Sequence, residues 1–123
     1  MRRLGALILA GVLLTACDSG PSGPGQLLIR ASGVDLGAAV LEIQGSGIRE
    51  FSARGSTRIY SAPVSAKTGA FRVVIVDPVG TDIGFDVSVD DVGMEGPIVT
   101  VVSAADTANQ TMSTAGVTVR VER

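Results

Sequence analysis

The chain has 123 residues with no histidine, no tryptophan and one cysteine; 46% are hydrophobic, 3% aromatic, and the formal charge is −2. Without His there is no Ser-His-Asp or Cys-His dyad and no imidazole metal ligand, and one Cys makes neither a zinc site nor an internal disulfide. The small net charge argues against nonspecific nucleic-acid binding, no cofactor is expected, and the length fits one domain.

Met1-Arg2-Arg3 is a short positive start, and residues 4–14 are uncharged and apolar. As a helix those eleven residues rise about 16 Å, against about 30 Å for a hydrocarbon core. Residues 1–16 therefore read as a secretory leader and not as a permanent span. Its end is Leu14-Thr15-Ala16-Cys17. This resembles the lipobox of bacterial lipoproteins: an aliphatic residue, two small ones, then the modified Cys. An ordinary leader cut after Ala16, or a buried free thiol, is the plainer alternative, and neither explains why the single Cys falls here. The resemblance implies a diacylglyceryl thioether on Cys17, cleavage before it by signal peptidase II, and acylation of the new amino group by a fatty acid such as palmitate. It places the domain in the bacterial cell envelope, with membrane lipid as a partner through acylated Cys17. Each buried CH₂ contributes about 0.8 kcal/mol and one chain anchors only marginally, so two or three chains make attachment lasting. Asp18 resembles the inner-membrane retention signal of enteric bacteria, a rule that does not extend to all bacteria, so inner and outer membrane both stay open.

Residues 17–25 read as the lipidated Cys followed by a tether. Asp18-Ser19-Gly20-Pro21-Ser22 and the three residues after it offer no apolar side chain to offset the entropy of ordering. Eight such residues reach about 26 Å when extended. Loss of Arg2 and Arg3 with the leader leaves eight basic residues against twelve acidic ones, a formal charge of −4.

Residues 26–123 read as one all-β domain of about eight short strands separated by Gly, Pro, Asp and Ser. Residues 26–31, 39–44, 48–53 and 57–61 are the weaker candidates. Residues 71–76 and 98–102 are nearly continuous apolar runs, the pattern of a central strand. Ile83, Phe85, Val87 and Val89 alternate with Gly84, Asp86 and Ser88, and Val117, Val119 and Val121 alternate with Thr118, Arg120 and Glu122. That period of two marks half-buried strands. Residues 102–114 compete as a helix, but their Ser, Asp, Thr and Asn favour a turn-rich connection with at most one helical turn. The expected core is Leu27, Ile29, Leu41, Ile43, Phe71, Val73, Ile75, Phe85, Val87, Val101 and Val119. In residues 49–72 the register is open, because Phe51 and Tyr60 fit either face. Evenly spaced strands suggest a sandwich or barrel. The alternating strands and the closing run of residues 117–121 resemble immunoglobulin-like modules, and residues 99–106 are loosely similar to cohesin-like sandwiches. The resemblance implies a small immunoglobulin-like β-sandwich and no activity.

Charge is segregated. Arg49, Arg54, Arg58, Lys67 and Arg72 cluster around one acid, Glu50, and then no base appears before Arg120. A basic face toward anionic lipid is one reading, and a solvated sheet face with exposed ion pairs is the other. Asp86, Asp90, Asp91 and Glu95 are the candidate calcium ligands, since the ion takes six to eight oxygens. They lack an Asp-x-Asp-x-Asp-Gly loop, so structural carboxylates at strand ends are the competing reading. Paired carboxylates without a sugar-stacking aromatic argue weakly for a glycosidase. The expected function is a non-catalytic binding or structural module, anchored by lipid, with an envelope protein docking on loops or a sheet edge. A calcium-dependent adhesion or assembly module and a small envelope hydrolase are the alternatives.

Overall fold

A computed structural model describes residues 22–79 and 82–123. Cys17, the leader before it and residues 18–21 of the tether lie outside the described residues. The strands are β1 (Gly25–Ser32), β2 (Leu36–Gln44), β3 (Ile48–Ala53), β4 (Arg58–Pro63), β5 (Ala70–Val76), β6 (Asp82–Val89), β7 (Ile98–Asp106), β8 (Thr111–Met112) and β9 (Thr118–Glu122). They form a four-stranded sheet, β3-β6-β1-β9, and a five-stranded sheet, β4-β5-β2-β7-β8. All the pairings are antiparallel. This is the small β-sandwich that the alternating pattern calls for. The neighbours β4-β5-β2 and β3-β6 follow the immunoglobulin order, while β1 and β7 each sit in the sheet the other would occupy.

The core lies between the sheets. Leu27, Ile29 and Ala31 of β1 and Ile83, Phe85, Val87 and Val89 of β6 face Leu36, Ala39, Leu41 and Ile43 of β2 and Val73 and Ile75 of β5. The period-two residues of β6 thus all point inward. Phe71, Val101 and Val119, expected in the core, are only half-buried, because they lie where β5 begins and on the outer strands β7 and β9. Phe51 settles the open register of β3 by turning inward, edge-on to Phe71 with ring centres 5.3 Å apart. Tyr60 of β4 turns outward and is 62% exposed.

Two register shifts interrupt the β2–β7 ladder, at Leu36/Ala38 and Val40/Leu41. The first centres on Gly37. A Cβ there would stand 2.7 Å from the Asp106 carbonyl oxygen, so no side chain fits. The second leaves Val102 as the extra residue of β7. The connection expected after residue 102 instead extends β7 to Asp106, adds the two-residue β8, and ends in one 3-10 turn at Thr114–Gly116.

The chain enters at the end of the sandwich that carries residues 45–47, 64–69 and 90–97. Here the tether stops earlier than its expected limit at Gly25. The Gly23 amide donates to Asp91 Oδ1 at 2.8 Å, and its carbonyl accepts from Val92 N at 2.9 Å. Arg123 closes the same loop from the other terminus, donating to the Val92 and Met94 carbonyls. The Gly93 and Gly23 amides together hold the Asp91 carboxyl below its ordinary range. A hydrogen bond from Lys67 leads the same downward shift at Glu42, with Arg72 behind it. A depressed folded value stabilises fully above the unfolded value, about 4, and the contribution is lost as pH falls through the folded one. The thermal midpoint is therefore expected to hold near neutrality and to fall below about pH 4, less steeply in Asp91→Asn. A midpoint that rises on acidification contradicts this.

Candidate functional site

The four carboxylates singled out as calcium ligands do not converge. Asp86, on the outward face of β6, pairs with Arg54 at 2.8 Å. That carboxylate raises the Arg54 pKa, chiefly through the hydrogen bond. Asp90 pairs with Arg49, and Asp91 turns back to accept the Gly23 and Gly93 amides. Glu95 stands on the exposed 90–97 loop. Among the described residues no group of three or more His, Cys, Asp or Glu could hold a metal ion. The basic cluster disperses in the same way. Arg49 and Arg54 belong to one sheet, while Lys67 and Arg72 meet Glu42 beside the other at 3.0 and 3.3 Å. The clustering along the chain becomes ion pairs across it, the solvated-face reading of that segment.

The feature that stands out is a sheet edge. An unpaired strand exposes a row of N–H and C=O groups and is normally blunted by charge, proline, a bulge or brevity. Three of the four edges follow that rule. β3 carries Arg49, Glu50 and a bulge at Ile48/Glu50, β4 begins at Arg58 and ends at Pro63, and β9 carries Arg120 and Glu122. The fourth does not. The short β8 pairs only with Ala104 and Ala105, so among the described residues nothing pairs with the outer side of 98–103. That stretch is Ile-Val-Thr-Val-Val-Ser, without charge or proline. Its burial alternates: Ile98, Thr100 and Val102 are exposed, and Val99 and Val101 half-buried. Ile98 is 70% and Val102 43% exposed. After the bulge at Val102 the alternation resets, and Ala104 points into the core.

An apolar trough of about 220 Å³ opens beside the upper part of this edge, on the outer face of the five-stranded sheet. Val40, Val74, Ser103 and Ala105 are among its walls. The register sets Tyr60, Val74, Val40 and Ser103 in one row across four strands. An outward face of an antiparallel sheet is ordinarily polar, as the opposite face is here. There Arg120, Arg30 and Gly84 share a row, with Arg54 beside Gly84 at the end of β3. Those three arginines are distant along the chain, and only strand order reveals the row.

Beneath that row a polar hollow of about 230 Å³ is closed by Asp77, buried where β5 ends. Its carboxyl accepts from Ser56 Oγ at 2.8 Å, Thr57 Oγ1 at 3.0 Å and Val79 N at 2.9 Å. Asp77 thus ties the 54–57 turn to the turn after β5. Asp77→Ala is expected to cost about 1–3 kcal/mol, because the buried Thr57 hydroxyl loses its acceptor. Asp77→Asn, which keeps one acceptor, should cost less. Urea denaturation of the two variants checks the order, and equal losses would contradict it.

The fold and this surface define a small antiparallel sandwich with one open edge. Comparison of the chain with protein families, curated proteins and solved structures gives no match. Among the described residues no helix is long and apolar enough to cross a membrane.

Proposed function

We propose that the protein is a bacterial envelope lipoprotein, held to a membrane by acyl chains on Cys17, whose sandwich is a non-catalytic binding module. The anchor is supported by Leu14-Thr15-Ala16-Cys17 directly after an apolar leader of the right length. The observation that carries the binding reading is the unpaired, uncharged edge of β7. A partner strand added there gains main-chain hydrogen bonds along 98–103, and alternate side chains read the two faces of the edge. The tether holds Gly23, at the end of the sandwich where β7 starts, within about 20 Å of the anchored residue.

The test is to place Lys at both Ile98 and Val102 and crosslink the chain in native envelopes. Both side chains are exposed, so the melting temperature should stay within a few degrees of the parent's. A partner crosslinked to the parent chain is expected to fall by about tenfold or more with Ile98→Lys and Val102→Lys, the cost of 1.4 kcal/mol or more. Equal recovery from both chains, or recovery of lipid alone, would contradict the docking edge.

A further inference from the structure

We propose that the strand completing the β7 edge is β7 of a second copy of this chain, paired antiparallel about a two-fold axis at Thr100. This rests on the reading of β7 as a docking edge and names its occupant. In an antiparallel pair, residues directly opposite each other place their side chains on the same face. A strand pairs with itself only where its alternation is symmetric about the centre. Residues 98–102 meet that condition: the exposed Ile98, Thr100 and Val102 flank the half-buried Val99 and Val101. Centring on Thr100 sets Ile98 against Val102 of the second copy on the outer face. It sets Val99 against Val101 of that copy on the core side, and Thr100 against its own equivalent. Shifting the pairing by one residue opposes outward to inward side chains, and shifting it by two leaves fewer of the five residues opposed to one another, so the centre at Thr100 is the register that pairs all five.

All five residues are β-branched, the type that pairs best across strands. The charge pattern admits the same occupant. The edge carries no charge to repel its copy, whereas β3 and β9 each carry an Arg and a Glu that meet like charges in some registers and opposite charges in others. β8 caps the pairing at Ala104, so it stops at five residues from each copy. The chain outside the described residues supplies the concentration. Five residues lie between Cys17 and Gly23, where the domain begins. With the anchor in place, this leash confines every copy to one thin layer, and confinement raises the effective concentration of the second strand. Antiparallel pairing turns one copy end over end. On a single bilayer the two-fold axis then stands along the membrane normal, and the strands lie parallel to the surface.

The experiment uses the full chain in detergent and in native envelopes. Opposed Cα atoms at a two-fold pair lie about 4.5 or 5.5 Å apart, within disulfide reach. Thr100→Cys under mild oxidation is expected to give a disulfide-linked dimer. Val34→Cys, on an exposed turn at the opposite end from the tether, is the control and should give none. Sedimentation of the unsubstituted chain should show a dimer that Ile98→Lys abolishes. A monomeric parent chain, or Thr100→Cys that crosslinks no better than Val34→Cys, overturns the self-pairing. A photoreactive residue at position 102 in envelopes separates the two readings. An adduct of twice the chain mass supports self-pairing. An adduct of any other mass overturns it while leaving the docking edge, and no adduct removes both.

Discussion

Phe85→Ala should cost about 3–5 kcal/mol of folding stability. Phe85 has no exposed surface and stands in the middle of β6. Its ring centre lies 6.3 Å from that of Phe51, which in turn meets Phe71. The two sheets are therefore joined near β3 and β6 by a chain of three phenylalanines, and the sequence holds no other Phe and no Trp. Truncation removes the largest fully buried side chain and leaves a cavity in the core between the sheets. With no internal disulfide available, packing alone resists unfolding. A loss of this size is a large part of the 5–15 kcal/mol typical of a domain. At about 4–8 °C per kcal/mol it lowers the melting temperature by more than about 10 °C. Urea titration gives the free energy directly, and a change below about 1 kcal/mol would show that the aromatic chain is not what joins the sheets.

Cys17→Ser tests the other end of the proposal with an all-or-none readout. The diacylglyceryl group is proposed to sit on this one sulfur, so removing it abolishes the thioether, the cleavage that depends on it and the acylation of the new amino group. The expected result is no incorporation of a labelled fatty acid and retention of residues 1–16. The domain itself should melt like the parent's, because its packed core is built from residues after Gly25. Undiminished labelling of Cys17→Ser would move the acylation elsewhere and detach the anchor from the lipobox.

The strands that could be read from the sequence are those whose pattern is local. In β6 one face is buried, and in β9 Val119 is half-buried between exposed Thr118 and Arg120; the alternation of Val with Asp, Ser, Thr and Arg records both. The 48–53 segment has the same bounds in the structure as in the sequence reading. What depends on strand order could not be read. Residues 98–102 have the continuous apolar character of a strand covered on both sides. β5 fulfils that pattern between β4 and β2, but β7 keeps an open edge because β8 is only two residues long. Leu36 joins β2 through a bulge that periodicity cannot anticipate, and Phe51 and Tyr60 take opposite faces that their short strands left undetermined. The site followed the same division. The proposed anchor at Cys17 rests on a contiguous motif and lies outside the described residues. The Arg49–Arg72 cluster becomes exposed ion pairs, the solvated-face reading, because two sheets divide it, and the row of Arg120, Arg30 and Arg54 has no local pattern because three strands build it.

The lipid anchor proposed at Cys17 is tested most directly by the intact mass of the native polypeptide, with fragmentation at its amino terminus. The expected species begins at Cys17, lacks residues 1–16, and carries the added mass of two or three fatty acyl chains on that residue. A chain that retains Met1, or one that begins near Cys17 with an unmodified sulfur, would contradict it.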